Sequence, residues 1–255
     1  MVNIKTKEEI SIMKEGGKIL AEILDKLKGA VKPGITTNDL EKLARELVSS
    51  YGVEGSFLGF EGYPAVLCTS VNDEIVHAIP SKRILKDGDL LKIDMGVLHK
   101  GFHTDSAITL VVGGRGDNIK NKLIQTTREA LEIGISKAKV GNTLGDIGAA
   151  IQKHIEDAGF NVVRELVGHG IGRGLHEPPQ VLNYLPAGKA GGTTGSGEKL
   201  VSGMVIAIEP MVVTGKWGIK DGKDGYAFVT KDGGLAAHFE HTIAITDSGP
   251  EILTK

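Results

Sequence analysis

Two stretches of this chain align at a fixed offset of 107 residues, and any fold it adopts must give both an equivalent place. VKPGITTNDLEKLARELVSSYG at 31–52 matches KVGNTLGDIGAAIQKHIEDAG at 139–159, setting Gly34 on Gly141, Thr36 on Thr143, Asp39 on Asp146, Leu40 on Ile147 and Gly52 on Gly159. Further on, DGDLLKIDMGV at 87–97 finds a partner in VSGMVIAIEPMVV at 201–213, with Asp94 on Glu209. The rival reading is chance likeness between amphipathic segments. Two aligned segments in the same order, each delivering an acid from the same point of a strand, favour a duplicated fold. A repeat this long implies fused half domains and not a solenoid. At 255 residues the chain can bury a full core, so we read one domain over 1–255 with halves near 1–112 and 113–255.

The stretch LLKIDMGVLHKGFHTDSAITL at 90–110 carries the first chemistry. Apolar runs flank a short polar turn near His99 to Gly101, the pattern of a β-hairpin. With the turn centred between His99 and Lys100, Asp94 falls directly across from Asp105 on the same face. Opposed residues have Cβ atoms roughly 5 Å apart, and like charges there repel. On an exposed hairpin both acids would be solvated, but these neighbours are too apolar for that. A buried pair must share either a proton or a cation.

Composition narrows the partners. With 30 basic and 32 acidic residues the formal charge is −2, so there is no electrostatic case for nucleic acid or a membrane surface. The one cysteine, Cys68, rules out an internal disulfide framework and a cysteine zinc cluster. No basic-apolar leader and no membrane-length apolar run is present, which makes a soluble cytoplasmic protein the expectation.

Along the chain, Thr6 and Glu9 form a capping-box pair for a helix over 6–27 with Ile10, Met13, Gly17, Leu20 and Leu24 on one face. Asn38 with Glu41 is read as the cap of a second helix over 39–51, stopped by Gly52. A strand is expected around 66–69. Asp117 or Asn118 caps a long helix to about Lys139, and AAHFEHTIAIT at 236–246 reads as one strand. KAGGTTGSGEK at 189–199 is read as a surface insert. No GxGxxG of dinucleotide spacing and no phosphate loop occurs.

Four acids thus sit on apolar strands: Asp94, Asp105, Glu209 and Glu240. Three histidines, His77, His169 and His176, sit in glycine-rich loops. Singly, each has a bland explanation as a solvated acid or a satisfied core histidine. Together, four acids among aliphatic neighbours repel without compensation. Four carboxylates bring −4, two divalent cations +4, and a bridging hydroxide leaves the cluster near −1, so a two-metal site fits where one zinc leaves too much negative charge. Oxygen-rich ligands with an imidazole suit Mn²⁺, Fe²⁺ or Co²⁺ as well as Zn²⁺. Two such metals, roughly 3.5 Å apart, activate water and polarise a carbonyl, which is hydrolysis. There is no GxSxG elbow, and Cys68 has no clear base near it in sequence.

The motifs NDEIVHAIP, KIDMGV, GFHTD, GHGIGRGLHEPP, AIEPMV and FEHT, in this order, resemble those of bacterial-type (type I) methionine aminopeptidases. The likeness covers essentially the whole chain. It implies an α+β pita-bread fold: two α/β halves related by a pseudo-twofold axis, with antiparallel sheet around a central dinuclear metal site in a single catalytic domain. It implies that Asp94 binds one metal, Asp105 and Glu240 bridge both, and His169 and Glu209 complete the other. It further implies that the initiator methionine is removed from nascent chains with a small second residue, by attack of metal-activated hydroxide on the first peptide bond. Glu209 is then the proton shuttle, His77 lies near the scissile amide nitrogen, and His176 donates to the carbonyl oxygen. Tyr63 and Cys68 match positions lining the methionine pocket. A monomer is implied, and the ribosome is a partner that the sequence leaves open.

The chain departs from the family pattern mainly in that pocket. Phe60 stands where Tyr is frequent, Leu175 where Phe is frequent, Tyr226 where Trp is usual, and His238 replaces a common Gln. These changes bear on pocket shape and rate, while the five metal ligands are intact. The insert at 189–199 is longer than is usual and is read as decoration rather than a lid. The alternatives are a proline-specific aminopeptidase or prolidase, whose extra N-terminal domain finds no room here, and a non-catalytic pita-bread binding protein, which would have lost ligands.

Overall fold

The computed structural model describes residues 2–186 and 197–255. The insert at 189–199 lies, up to residue 196, outside the described residues. Capping chemistry starts each of the four long helices. Thr6 Oγ1 accepts from the Glu9 N–H and the Glu9 carboxylate accepts from the Thr6 N–H, opening α1 (Lys7–Ala30). It runs past the expected end at Leu27 and buries Met13, Leu20, Ile23, Leu24 and Leu27. The second helix, α2 (Thr37–Tyr51), begins earlier than expected: Thr36 and Asp39 make the capping box. Asn38 lies inside the first turn, and Glu41 is engaged elsewhere, accepting from the Val66 N–H and from Arg45. Gly52, at φ 65°, ends this helix as expected. Asp117 caps α3 (Asn118–Lys137), and Thr143 with Asp146 makes a capping box for α4 (Leu144–Asp157).

The approaches to α2 and α4 are built alike. Gly34 N–H donates to Leu85 O and Leu85 N–H to Ile35 O; likewise Gly141 N–H donates to Leu200 O and Leu200 N–H to Asn142 O. Thr36 bridges Ile84 as Thr143 bridges Lys199.

All strand pairings among the described residues are antiparallel. The main sheet has nine strands and runs Glu54–Gly55, Leu90–His99, Phe102–Val111, Glu240–Thr246, Val205–Ile208, Gly168–Gly170, Glu177–Val181. Leu67–Val71, the strand expected around 66–69, pairs with Leu90–His99, and Gly249–Ile252 pairs with Glu240–Thr246. Two three-stranded sheets complete the fold, one of them joining Asn161–Val162, Met211–Val213 and Ala236–His238. Strand alternation sorts the faces. Leu91, Ile93, Met95 and Val97 pack with α1 and α2, while Ile206, Ile208, Ile243 and Ile245 pack with α3 and α4. Each such side chain contributes about 1.5–3 kcal/mol on full burial. Asp94 and Asp105 belong to the opposite face. Among the described residues no helix is long and apolar enough to cross a membrane.

Two strand expectations also differ from the structure. The hairpin turn is centred between Lys100 and Gly101, one place later than expected, so Asp94 pairs with Ala107 and Asp105 with Gly96. Both turn residues have positive φ, 50° and 82°. That two-residue geometry matches the twist of the flanking strands, and glycine accepts it without strain. The shift keeps both acids on one face but sets them diagonally, which relieves direct opposition. The run 236–246 is two strands, Ala236–His238 and Glu240–Thr246, interrupted at Phe239. The first pairs with Met211–Val213 in a small sheet and the second with Val205–Ile208 in the main sheet. Both chains change sheets at the same corner, between Ile208 and Met211 on one side and at Phe239 on the other.

Candidate metal centre

That corner brings the second pair of acids to the hairpin. Glu240 opens its strand opposite Ala107, beside Asp105. Side-chain hydroxyls stitch the two strands together: Thr242 Oγ1 accepts from Asp105 N–H and donates to Asp105 O, both at 2.9 Å, and Ser106 Oγ donates to Glu240 O at 2.8 Å. Thr109 Oγ1 likewise donates to His238 O and accepts from His238 N–H. Glu209 lies just past the end of Val205–Ile208, before Pro210, and not inside a strand as expected; Asn183 Nδ2 donates to its carbonyl at 3.0 Å. His169, expected in a loop, lies in the short strand Gly168–Gly170. His77 follows Glu74–Val76 and His176 precedes Glu177–Val181, both as loop residues.

The ligating atoms of Asp105, His169 and Glu240 lie within 4.8 Å of one another. His169 Nδ1 faces Gly170 O at 2.9 Å, which assigns its proton to Nδ1 and leaves Nε2 as the free donor atom. That Nε2 is 3.6 Å from Glu209 Oε1, and His238 Nε2 is 3.6 Å from Glu209 Oε2. Burial, followed by the neighbouring His176, holds His169 down to about 3; burial, followed by His77 and Lys92, does the same for His238. Both imidazoles are therefore neutral at ordinary pH, and their contacts with Glu209 are not ion pairs.

The acids show the opposite strain. Burial raises the proton affinity of Asp94, and Asp105 raises it further. Burial also raises Glu209 and Glu240, reinforced by the neighbouring carboxylates, and pushes Asp105 up to about 7 against the bond from the Ser106 N–H. Asp94 Oδ1, Asp105 Oδ1 and Glu240 Oε1 are buried without a hydrogen-bond partner among the described residues. Uncompensated carboxylates at such depth cost several kcal/mol each, on the order set by desolvation. Orphaned oxygens beside an imidazole with a free Nε2 are the donor set of a divalent cation, and the residues present fit one.

All nine residues singled out from the sequence line one cavity of about 400 Å³. The four acids and His169 share its lining with Tyr63, Cys68, Phe60, Leu175 and Tyr226, which belong to one apolar cluster. Tyr63 stacks edge-on with Tyr226 at 5.3 Å and donates its hydroxyl to Ala78 O or Leu67 O. Cys68 pairs with Asp94 across the strands, and burial together with that carboxylate raises its thiol, which disfavours the thiolate that a nucleophile needs. His77 takes a left-handed backbone (φ 63°), unusual for a non-glycine residue, and packs on Phe228. Burial, then His176, holds its imidazole down to about 4. Sequence reasoning passed over Thr242, Ser106 and Asn183. Their partners lie more than 20 residues away, 137 in the case of Thr242 and Asp105, so even where a motif contains the residue, as FEHT contains Thr242, its partner is not written nearby.

Residues 11–247 match metallopeptidase family M24. A methionine aminopeptidase of Clostridium perfringens (strain 13 / Type A) is 48% identical over 254 residues, covering 100% of this chain and 99% of its own. The crystal structure of a methionine aminopeptidase from Thermotoga maritima superposes with a TM-score of 0.94 at 44% identity, covering 100% of both chains. The curled antiparallel sheet with its outer helices is the pita-bread fold of that structure. The prolidase from Pyrococcus horikoshii OT3, at 22% identity and a TM-score of 0.78, covers 99% of this chain and 63% of its own, and shares the fold alone. The chain belongs to metallopeptidase family M24 and, within it, to the bacterial-type (type I) methionine aminopeptidases.

Proposed function

We propose that this chain is a metal-dependent hydrolase that removes the N-terminal methionine from polypeptides with a small second residue. The observation that carries this is the single cavity joining buried, unpartnered carboxylates to a wall that suits a thioether. Asp94, Asp105, His169, Glu209 and Glu240 would hold two divalent ions of the Co, Mn, Fe or Zn type, with Asp105 and Glu240 shared. Ions held there supply Lewis acidity, lowering the proton affinity of water and polarising a carbonyl.

The chain's own residues do the remainder. Glu209 takes the proton from the attacking water and hands it to the departing amine, a role that its high proton affinity and its position between two neutral imidazoles suit. His176, on the rim, donates to the carbonyl oxygen as negative charge grows there. His77, kept neutral by burial, orients the amide nitrogen without adding charge. Tyr63 and Cys68, with Phe60, Leu175 and Tyr226, exclude water around the side chain.

The proposal extends to organisation and setting. We read 1–255 as one catalytic domain with halves near 1–112 and 113–255, supported by the matched caps and approaches of α2 and α4. A monomer working in the cytoplasm on nascent chains follows from the family resemblance, and the ribosome is the further partner it suggests. The test is release of the first residue from Met-Ala, Leu-Ala and Met-Pro peptides by chelator-stripped protein given Mn²⁺, Fe²⁺ or Co²⁺. Preference for Met-Ala supports the reading. Equal turnover of Met and Leu substrates would sink it, and bound metal with no turnover would point to a binding protein.

A further inference from the structure

His176 is exposed, and among the described residues its side chain makes no hydrogen bond. It leans edge-on against Phe60 at 5.0 Å and His169 at 4.4 Å. Aromatic contacts of this kind bias a ring without fixing its reach. Where His176 points is therefore decided by the backbone of residues 172–177, a segment with glycine at 172 and 174.

That backbone is tied down from the far end of the chain. Glu177 Oε1 accepts from the Gly174 N–H at 2.9 Å, closing the loop around His176. Glu177 Oε2 accepts from Lys5 Nζ at 2.7 Å and from Asn3 Nδ2 at 3.1 Å. Lys5 is anchored in turn, its N–H donating to Gly203 O at 2.8 Å. The Lys5 and Glu177 side chains are only 5% and 8% exposed. The Lys5 stem passes so close to Gly172 that a Cβ there would collide with it and would lie 3.0 Å from Glu177 Oε1. Beside this, Arg173 pairs with Glu9 at 3.1 Å, the same Glu9 that closes the cap of α1. His103 N–H adds a bond to Gly172 O at 2.7 Å.

Stability alone is a poor account of a buried Lys–Glu pair. Desolvation offsets most of its attraction, and an apolar pair of similar volume does as well or better. What such a pair does supply is one geometry, because both partners are costly to leave unmatched.

We infer that Lys5 is a positioning residue for His176, acting through Glu177 and the Gly174 N–H to fix the loop from which the imidazole reaches the scissile carbonyl. The inference rests on the role proposed above for His176. Misplacement of such a group by an ångström costs on the order of ten- to a hundredfold in rate.

The test is a double-mutant cycle of Lys5→Met and His176→Ala, read as kcat and KM on Met-Ala with Mn²⁺, together with bound metal per chain. Lys5→Met should lower kcat on the order of tenfold or more with KM held within about twofold and metal content unchanged. In the His176→Ala background the same substitution should cost nothing further. Losses that multiply, or a Lys5→Met protein with full kcat, would overturn the inference while leaving the role of His176 standing. If His176→Ala itself keeps full kcat, the role of His176 fails, and this inference fails with it. Should Lys5→Met not fold, the cycle is run with Glu177→Gln, which keeps an acceptor for Gly174 but removes the charge that holds Lys5, and the same outcomes decide.

Discussion

The two pairs of acids reach the same cavity by different constructions. Asp94 and Asp105 project from the middle of two ten-residue strands joined by a two-residue turn, with an unbroken ladder on either side. Glu209 and Glu240 stand where strands stop: one before Pro210, the other after Phe239, at the corner where both chains pass from the main sheet into a three-stranded one. A continuous hairpin can deliver two carboxylates only to fixed points of one face. A corner can re-aim them, and so lets the second pair meet the first from another direction. One pair is framework, the other is adjusted to it.

The sharpest way to break this contrast is to remove one acid from each pair. Asp105→Asn and Glu240→Gln should each lose bound metal and on the order of 10³-fold in kcat/KM, measured by metal analysis and peptide turnover. Retention of metal by either one would show that the two constructions are not equal contributors. Next in size, His176→Ala should cost on the order of 10²-fold in kcat with metal retained; loss of metal would make it a ligand instead of a donor. Stripping the ions should then loosen both constructions: saturating Mn²⁺ at about 100 times its Kd adds about 2.7 kcal/mol, a rise of roughly 5–10 °C in Tm for a chain of this size. Thr242→Val removes the hydroxyl that clasps the corner to the hairpin and should lower stability by about 2 kcal/mol, read in denaturant unfolding with metal absent. The smallest effect probes the matched parts. Thr36→Ala and Thr143→Ala each delete the N-cap of a capping box and should cost about 1 kcal/mol apiece. Unequal costs would mean that α2 and α4, alike in their hydrogen bonds, are not alike in what depends on them.

Local chemistry was legible. The Thr6–Glu9 cap follows from a spacing of three residues, the Gly52 stop from residue type, and the shared face of Asp94 and Asp105 from strand alternation on either side of the turn. The hairpin register was not, because it hangs on Lys100 accepting positive φ beside Gly101, a preference that residue type states only weakly. Two overlapping capping signals compete at the start of α2, and the winner is chosen by tertiary contacts: Thr36 bridges Ile84, while Glu41 is drawn to the Val66 amide. The break at Phe239 is silent in the 236–246 pattern for a similar reason, since only the departure of the neighbouring strand at Pro210 requires it. For the site, the four acids and three histidines stand out by residue type among apolar or glycine-rich neighbours, and Tyr63 and Cys68 only through the family resemblance, whereas the bonds of Thr242, Asn183 and Lys5 span the chain and no nearby spacing shows them.

The Thr242 hydroxyl that clasps Asp105 spans 137 residues of sequence, and the Lys5–Glu177 pair spans 172. Contacts so distant carry a loop-closure cost, and folds rich in them form slowly. A chain still being made holds Asp94 and Asp105 with nothing opposite them, and a refolding chain should regain helix before it regains turnover. On the function proposed above, hydrolytic competence would belong to the finished molecule, because a fragment ending before Glu240 would lack one of the five proposed ligands.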